Sequence, residues 1–275
     1  MELGGRNKAR LDEAAERFAD ARESVAERAA DARETMAGKA ADAREAMGDA
    51  AADAKEKAAE AIAAVKPRLR GVSHEYAFFV SLILGAGLIV FADGAEATVA
   101  AAIYAVSLSG LLGVSALYHV HEWERPSARR WMRRLDHTMI FFLIAGTVTP
   151  FALLVMDGPF ATALLIAVWV GAVAGTIVEL IWIDSPKWVA AAVYVGVGAI
   201  GAIGFPAIIA ETGLGAGVLI AAGGALYVTG AVVYAAQRPN PSPTVFGYHE
   251  IFHVLVLAAA AAHFAAVALF ALPAA

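Results

Sequence analysis

Residues 160–183 read FATALLIAVWVGAVAGTIVELIWI, and Glu179 is the one ionisable side chain among these 24 positions. Crossing a bilayer core of about 30 Å as a helix takes about 20 predominantly apolar residues. This stretch is therefore expected to span a membrane. Working outward, comparable runs cover 76–92, 97–120, 136–156, 188–209, 214–236 and 249–272. The expected fold class is all-α, a seven-transmembrane helix bundle. Gly171, Gly175, Gly196, Gly198, Gly201 and Gly204 recur inside these runs, where small residues let helix backbones approach closely in lipid.

Composition agrees. The chain is 60% hydrophobic and 17% charged, with a mean hydropathy of +0.63. The charges are unevenly placed. Residues 1–66 hold 12 basic and 15 acidic side chains, whereas residues 67–275 hold 9 and 11. The second part has too little polar surface to cover itself in water. The expected division is thus 1–66, a charged extension on the cytoplasmic side, and 67–275, a seven-span membrane domain.

The extension is a repeat. ADARE stands at Ala19–Glu23, Ala30–Glu34 and Ala41–Glu45, and ADAKE at Ala52–Glu56, a period of 11 residues. Eleven residues over three turns is close to the natural helix and favours a straight or slightly right-handed one. Phe18, Val25, Met36, Met47 and Ala58 form a thin apolar line, interrupted by the helix-weakening Gly38 and Gly48 and ended by Pro67. Such a helix suits contact with a membrane surface or loose self-association, and equally a solvated tail.

Several classes fall away. Net charge is −5 and pI about 5.8, so no nucleic-acid partner is expected. With no cysteine, disulfides, thiolate catalysis and Cys-type metal sites are excluded. The first residues lack the short apolar core of a cleavable leader, so the first span is expected to direct insertion.

Orientation follows from Lys and Arg. Lys66, Arg68 and Arg70 precede the first span, Arg125, Arg129, Arg130, Arg133 and Arg134 lie in the loop between spans two and three, and Lys187 and Arg238 follow spans four and six. The alternate connections, with Asp93, Glu96, Asp157 and Glu211, carry no basic residue. The positive-inside rule makes this a multi-pass plasma (inner) membrane protein with a cytoplasmic N-terminus and the C-terminus outside.

Polar residues within spans need a reason. Span two ends SALYH at 115–119, span three begins with Asp136 and His137, and span seven begins HEIFH at 249–253. His249 and His253 share a helix face about 6 Å apart along the axis, as do Ser115 and His119. Span two runs inward while spans three and seven start inside, so His119, Asp136, His249 and His253 fall at one membrane level. Three imidazoles with an open fourth position make the ligand set of a catalytic zinc site. Asp136 would then orient or deprotonate water, and Ser115 would hydrogen-bond the water or a carbonyl. His74, His121 and His263 read as ordinary amphipathic residues. His263 lies about 15 Å further along the axis than His253. His137 points away from Asp136 and at most supports a ligand, and Glu179 is expected to pair with an Arg or snorkel.

SALYH, the basic segment after it, RRLDHTMIFFLIAGTVTPF at 133–151 and FGYHEIFHVLVLAAAAAHF at 246–264 together resemble the hemolysin III-related family. That is the bacterial branch of the progestin and adipoQ receptor superfamily. The likeness covers about residues 70–272 and leaves out the repeat. It implies a seven-helix bundle holding zinc near the cytoplasmic face, with ligands matching His119, His249 and His253, a water-binding Asp matching Asp136 and a supporting Ser matching Ser115. Eukaryotic relatives look like zinc-dependent lipid amidases of the ceramidase kind with receptor roles. Bacterial members carry the haemolysin name and are linked to membrane fluidity.

Three functions fit these residues. One is a Zn2+-dependent hydrolase of a lipid amide or ester, with a membrane lipid as substrate and a role in membrane lipid homeostasis. Another is a receptor-like sensor in which zinc is structural. The third is a haemolysin-type pore.

Overall fold

In a computed structural model the chain divides into two units, Met1–Ala64 and Val65–Ala275. The structure describes residues 33, 36, 38, 39, 43, 44, 47 and 67–274. In the first unit the described residues are helical and exposed, Met36 and Met47 of the apolar line included. The rest of the repeat lies outside the described residues.

The described residues of the second unit are almost entirely helical. In chain order the helices are α1 (Val72–Val90), α2 (Gly94–Val120), α3 (Pro126–Leu154), α4 (Gly158–Ile181), α5 (Lys187–Ala202), α6 (Phe205–Thr212), α7 (Leu214–Ala236) and α8 (Tyr248–Ala266). A π-helical turn, Val267–Ala271, and a 3-10 turn, Leu272–Ala274, continue α8. Among the described residues there is no strand, only an isolated bridge between Ser242 and Phe246.

Six helices are long and apolar enough to cross a membrane alone, and α5 and α6, bent by 42° at the break between them, are so only when taken together. The bend has a local cause. Pro206 has no N–H to offer the Ala202 carbonyl, so the α-helical ladder stops there. The chain tightens instead, with Ile203 N–H donating to Ile200 O at 3.2 Å and Gly204 N–H to Gly201 O at 3.1 Å.

The basic segment before span three is not a loop. Pro126 opens α3 at its first turn, where its fixed φ suits a helix start. Arg129, Arg130, Arg133 and Arg134 therefore ride on the helix ahead of the apolar run.

Polarity is arranged as lipid requires. Ile83, Val90, Ile181 and Leu214 are exposed, while Ser81 donates to Ser109 at 2.9 Å in the interior. Apolar side chains outward and paired hydroxyls inward is the pattern of a bundle whose solvent is hydrocarbon. The centre is α2, with Ala100, Ala101, Tyr104, Leu108, Leu111 and Leu112 all buried. The glycines divide in use. A Cβ at Gly175 would fall 2.5 Å from the Phe141 ring and one at Gly201 2.7 Å from Val148, whereas Gly196 and Gly198 face open space and do not serve close packing.

One end of the bundle is cross-linked. Arg70 pairs with Glu250, Arg133 pairs with Asp184 at 2.8 Å, Arg134 donates to Leu180 O at 3.1 Å, and Lys187 donates to Tyr248 Oη. Arg68 N–H donates to Thr244 O at 3.0 Å. These links gather the starts of α1, α3, α5 and α8 with the end of α4.

Candidate metal centre

The first turn of α8 is fixed from two sides. Glu250 sits three residues after Gly247, and its carboxylate accepts the Gly247 N–H at 2.7 Å, satisfying a donor that the helix leaves unpaired. Its other oxygen takes Arg70. Glu250 thereby anchors the turn that carries His249 and His253. The approach to α1 is fixed as well. Gly71 adopts a left-handed φ of 83°, and a Cβ there would lie 2.6 Å from His119 Cβ. Only glycine lets this corner press against the last turn of α2.

The histidines from α2 and α8 meet. His119 Nε2 lies 3.2 Å from His249 Nε2, and the ring of His253 is centred 5.0 Å from His119 and 4.7 Å from His249. One ring nitrogen from each of the three falls within 4.8 Å of the others, a geometry able to hold a metal ion. His119 and His253 are buried and His249 is half-buried. Asp136 comes from α3, with Oδ2 3.5 Å from His119 Nε2. Ser115, one turn before His119, is buried and lines the same cavity as Asp136, His249 and His253.

His74 is not an ordinary interface residue. It is buried, its Nδ1 lies 2.9 Å from Ser115 Oγ, and its ring stacks on His253. Its place at the start of α1 puts it at the level of the other histidines, and the topological argument used for them would have found it. His121 is exposed and rests edge-on against Trp123 at 4.7 Å. His263 engages α7 instead of the cluster, with Nε2 3.2 Å from Ile220 O.

Among the described residues Glu179 pairs with no arginine. It is buried, faces His137 Nδ1 at 3.1 Å and accepts the Tyr194 hydroxyl at 3.1 Å. The nearby arginines are taken by the end of α4, Arg134 by Leu180 O and Arg133 by Ile183 O. His137 and Tyr194 line the cavity alongside Asp136.

The family pattern described as Haemolysin-III related matches residues 62–264. The chain belongs to that family. Hemolysin-3 of Bacillus cereus is 31% identical over 180 residues, 65% of this chain and 78% of that protein. The Hemolysin-3 homolog of Bacillus subtilis (strain 168) is 29% identical over 197 residues, 70% and 88% of the two chains. The human monocyte to macrophage differentiation factor is 26% identical over 198 residues, 71% and 80%. Bacterial and animal relatives together place this haemolysin III-related chain among the progestin and adipoQ receptors. Its spans and its family make it a multi-pass membrane protein.

Proposed function

We propose that the chain is a zinc-dependent hydrolase of a lipid amide or ester, acting in the inner membrane on lipids of that bilayer and serving membrane lipid homeostasis. The observation that carries this reading is the meeting of His119, His249 and His253 beside Asp136, at the wall of a cavity that also reaches Ser115. The donor set fits zinc. Tetrahedral zinc with Zn–N of about 2.0–2.1 Å holds neighbouring nitrogens about 3.3 Å apart, and His119 Nε2 and His249 Nε2 are 3.2 Å apart. Nδ1 of His253 is buried without a hydrogen-bond partner. Imidazoles without thiolate favour zinc over magnesium or calcium.

When bound, zinc supplies Lewis-acid polarisation of a carbonyl and makes water more acidic. The remaining work falls to the chain. Asp136 accepts a proton from the attacking water. Ser115, whose hydroxyl also lies within hydrogen-bonding reach of Asp136, turns its proton to the carbonyl when His74 donates from Nδ1. The apolar wall, Leu111, Ile140, Phe252 and Val256, receives the acyl chain. On this reading the N-terminus and the basic end lie in the cytoplasm, and the repeat serves contact with the membrane surface or a second copy.

One observation favours a second reading, a sensor in which zinc is structural. Asp136 Oδ2 is 3.5 Å from His119 Nε2, close enough for Asp136 to be a fourth ligand. Asp136→Asn separates the two. The hydrolase retains zinc in this variant and loses about 10²–10⁴-fold in turnover, measured as fatty acid released from amide and ester lipids. Full complementation of a deletion strain by the zinc-loaded variant overturns the hydrolase. Loss of zinc together with phenotype assigns Asp136 to the metal and favours the sensor.

A further inference from the structure

The cavity has a second polar wall. Glu179, on α4, is 2% exposed and lies between His137 of α3 and Tyr194 of α5, each 3.1 Å away. A buried carboxylate inside a membrane bundle is costly and asks for a use. A brace between three helices is one use, but apolar packing would serve that more cheaply. The detail that points further is the orientation of His137. Its Nδ1 is turned to Glu179, and the ring lines the cavity that Asp136, His249 and His253 also line. A carboxylate at Nδ1 fixes both the tautomer and the direction of an imidazole, and dedicates Nε2 to whatever lies opposite.

Hydrolysis of an amide or ester needs two proton transfers at different places. One proton leaves the attacking water, and another must reach the departing amine or alkoxide, which is too basic to leave unprotonated. Asp136 answers the first need only. We propose that His137, held by Glu179, answers the second as the acid that protonates the leaving group; this rests on the hydrolase reading above. Water adds its oxygen to the carbonyl carbon, the C=O π pair moves onto the carbonyl oxygen, and one water proton passes to Asp136. The carbonyl then re-forms as the bond from that carbon to nitrogen or oxygen breaks, and the departing electron pair takes the Nε2 proton of His137, which acts as the imidazolium and keeps its Nδ1 proton hydrogen-bonded to Glu179. The products are the free acid and the amine or alcohol. The proton on Asp136 then returns to His137, and both groups are restored.

The test compares leaving groups. Zinc-loaded protein and His137→Gln are assayed on palmitoyl ethanolamide, ethyl palmitate and para-nitrophenyl palmitate, with zinc content measured in parallel. Nitrophenolate leaves without a proton. His137→Gln should therefore lose about 10²–10⁴-fold on the first two substrates, under about tenfold on the third, and bind as much zinc as the parent. Glu179→Gln, which retains a hydrogen-bonding side chain, carries the same pattern should His137→Gln fail to assemble. Equal losses on all three substrates, or loss of zinc, overturn the inference and leave the hydrolase reading standing. A parent protein inert towards all three overturns that reading and the inference with it.

Discussion

His74 lies flat on His253, the ring centroids 4.0 Å apart and the planes 6° from parallel. The start of α1 thus supports a residue that α8 offers to the candidate metal centre, although 179 positions of sequence separate the two. Stacking holds the His253 ring plane, and the hydrogen bond between His74 and Ser115 couples that plane to α2.

Two substitutions divide these roles. His74→Ala removes a buried ring and is expected to destabilise by about 2–4 kcal/mol, seen as a lower melting temperature in detergent. His74→Phe keeps a ring to stack and loses only the bond to Ser115, at about 1 kcal/mol. Equal damage from both would show that the stack contributes little.

Replacing His249 and His253 together by Ala is expected to abolish binding of about one zinc per chain. Because a ligand that binds only the folded state stabilises it, zinc should raise the melting temperature of the parent and not of the double variant. Metal analysis after gel filtration reads the first effect. Stoichiometric zinc in the double variant would remove the assignment.

Arg70 and Glu250 make a partly buried pair, with side-chain exposures of 21% and 3%. Arg70→Ala strands the Glu250 carboxylate and is expected to cost about 3 kcal/mol. Arg70→Ala with Glu250→Gln should cost less than the sum of the two singles, since the stranded charge is gone. Strict additivity in chemical denaturation would mean that the pair is not coupled.

Orientation can be read by labelling, since the chain has no cysteine of its own. Asp157→Cys is expected to react with a membrane-impermeant thiol reagent in intact cells, and Arg129→Cys only after lysis. The rationale is the absence of Lys and Arg from the loop at Asp157. The reverse pattern would put the candidate centre at the outer face.

Much of this was legible before any coordinates. Apolar run length located every span, because hydrocarbon thickness is a one-dimensional constraint that a linear sequence can meet visibly. The start of α3 was hidden for the same reason. Arg129 to Arg134 have no business in hydrocarbon, and nothing in hydropathy tells an exposed helical turn from a loop. His249 and His253 declared themselves by spacing within one helix, and His119 by membrane level. His74 and the Glu179–His137–Tyr194 group depend on which helices are neighbours, which pattern alone does not give. Glu250 was the exception. Its place three residues after Gly247 is a helix-start signal in its own right.

The centre draws its residues from both halves of the chain, His119 and Asp136 ahead of the connection at Trp182–Pro186 and His249 and His253 beyond it. Neither half alone owns a complete set of ligands. A chain severed in that connection and expressed as two pieces would bind the ion only where both pieces met, so metal uptake becomes a reporter of reassembly. The same arithmetic bears on synthesis. The ribosome delivers His253 only after the preceding spans have emerged, so an ion held by this set would act as a final lock on a bundle already inserted and would not guide its early threading.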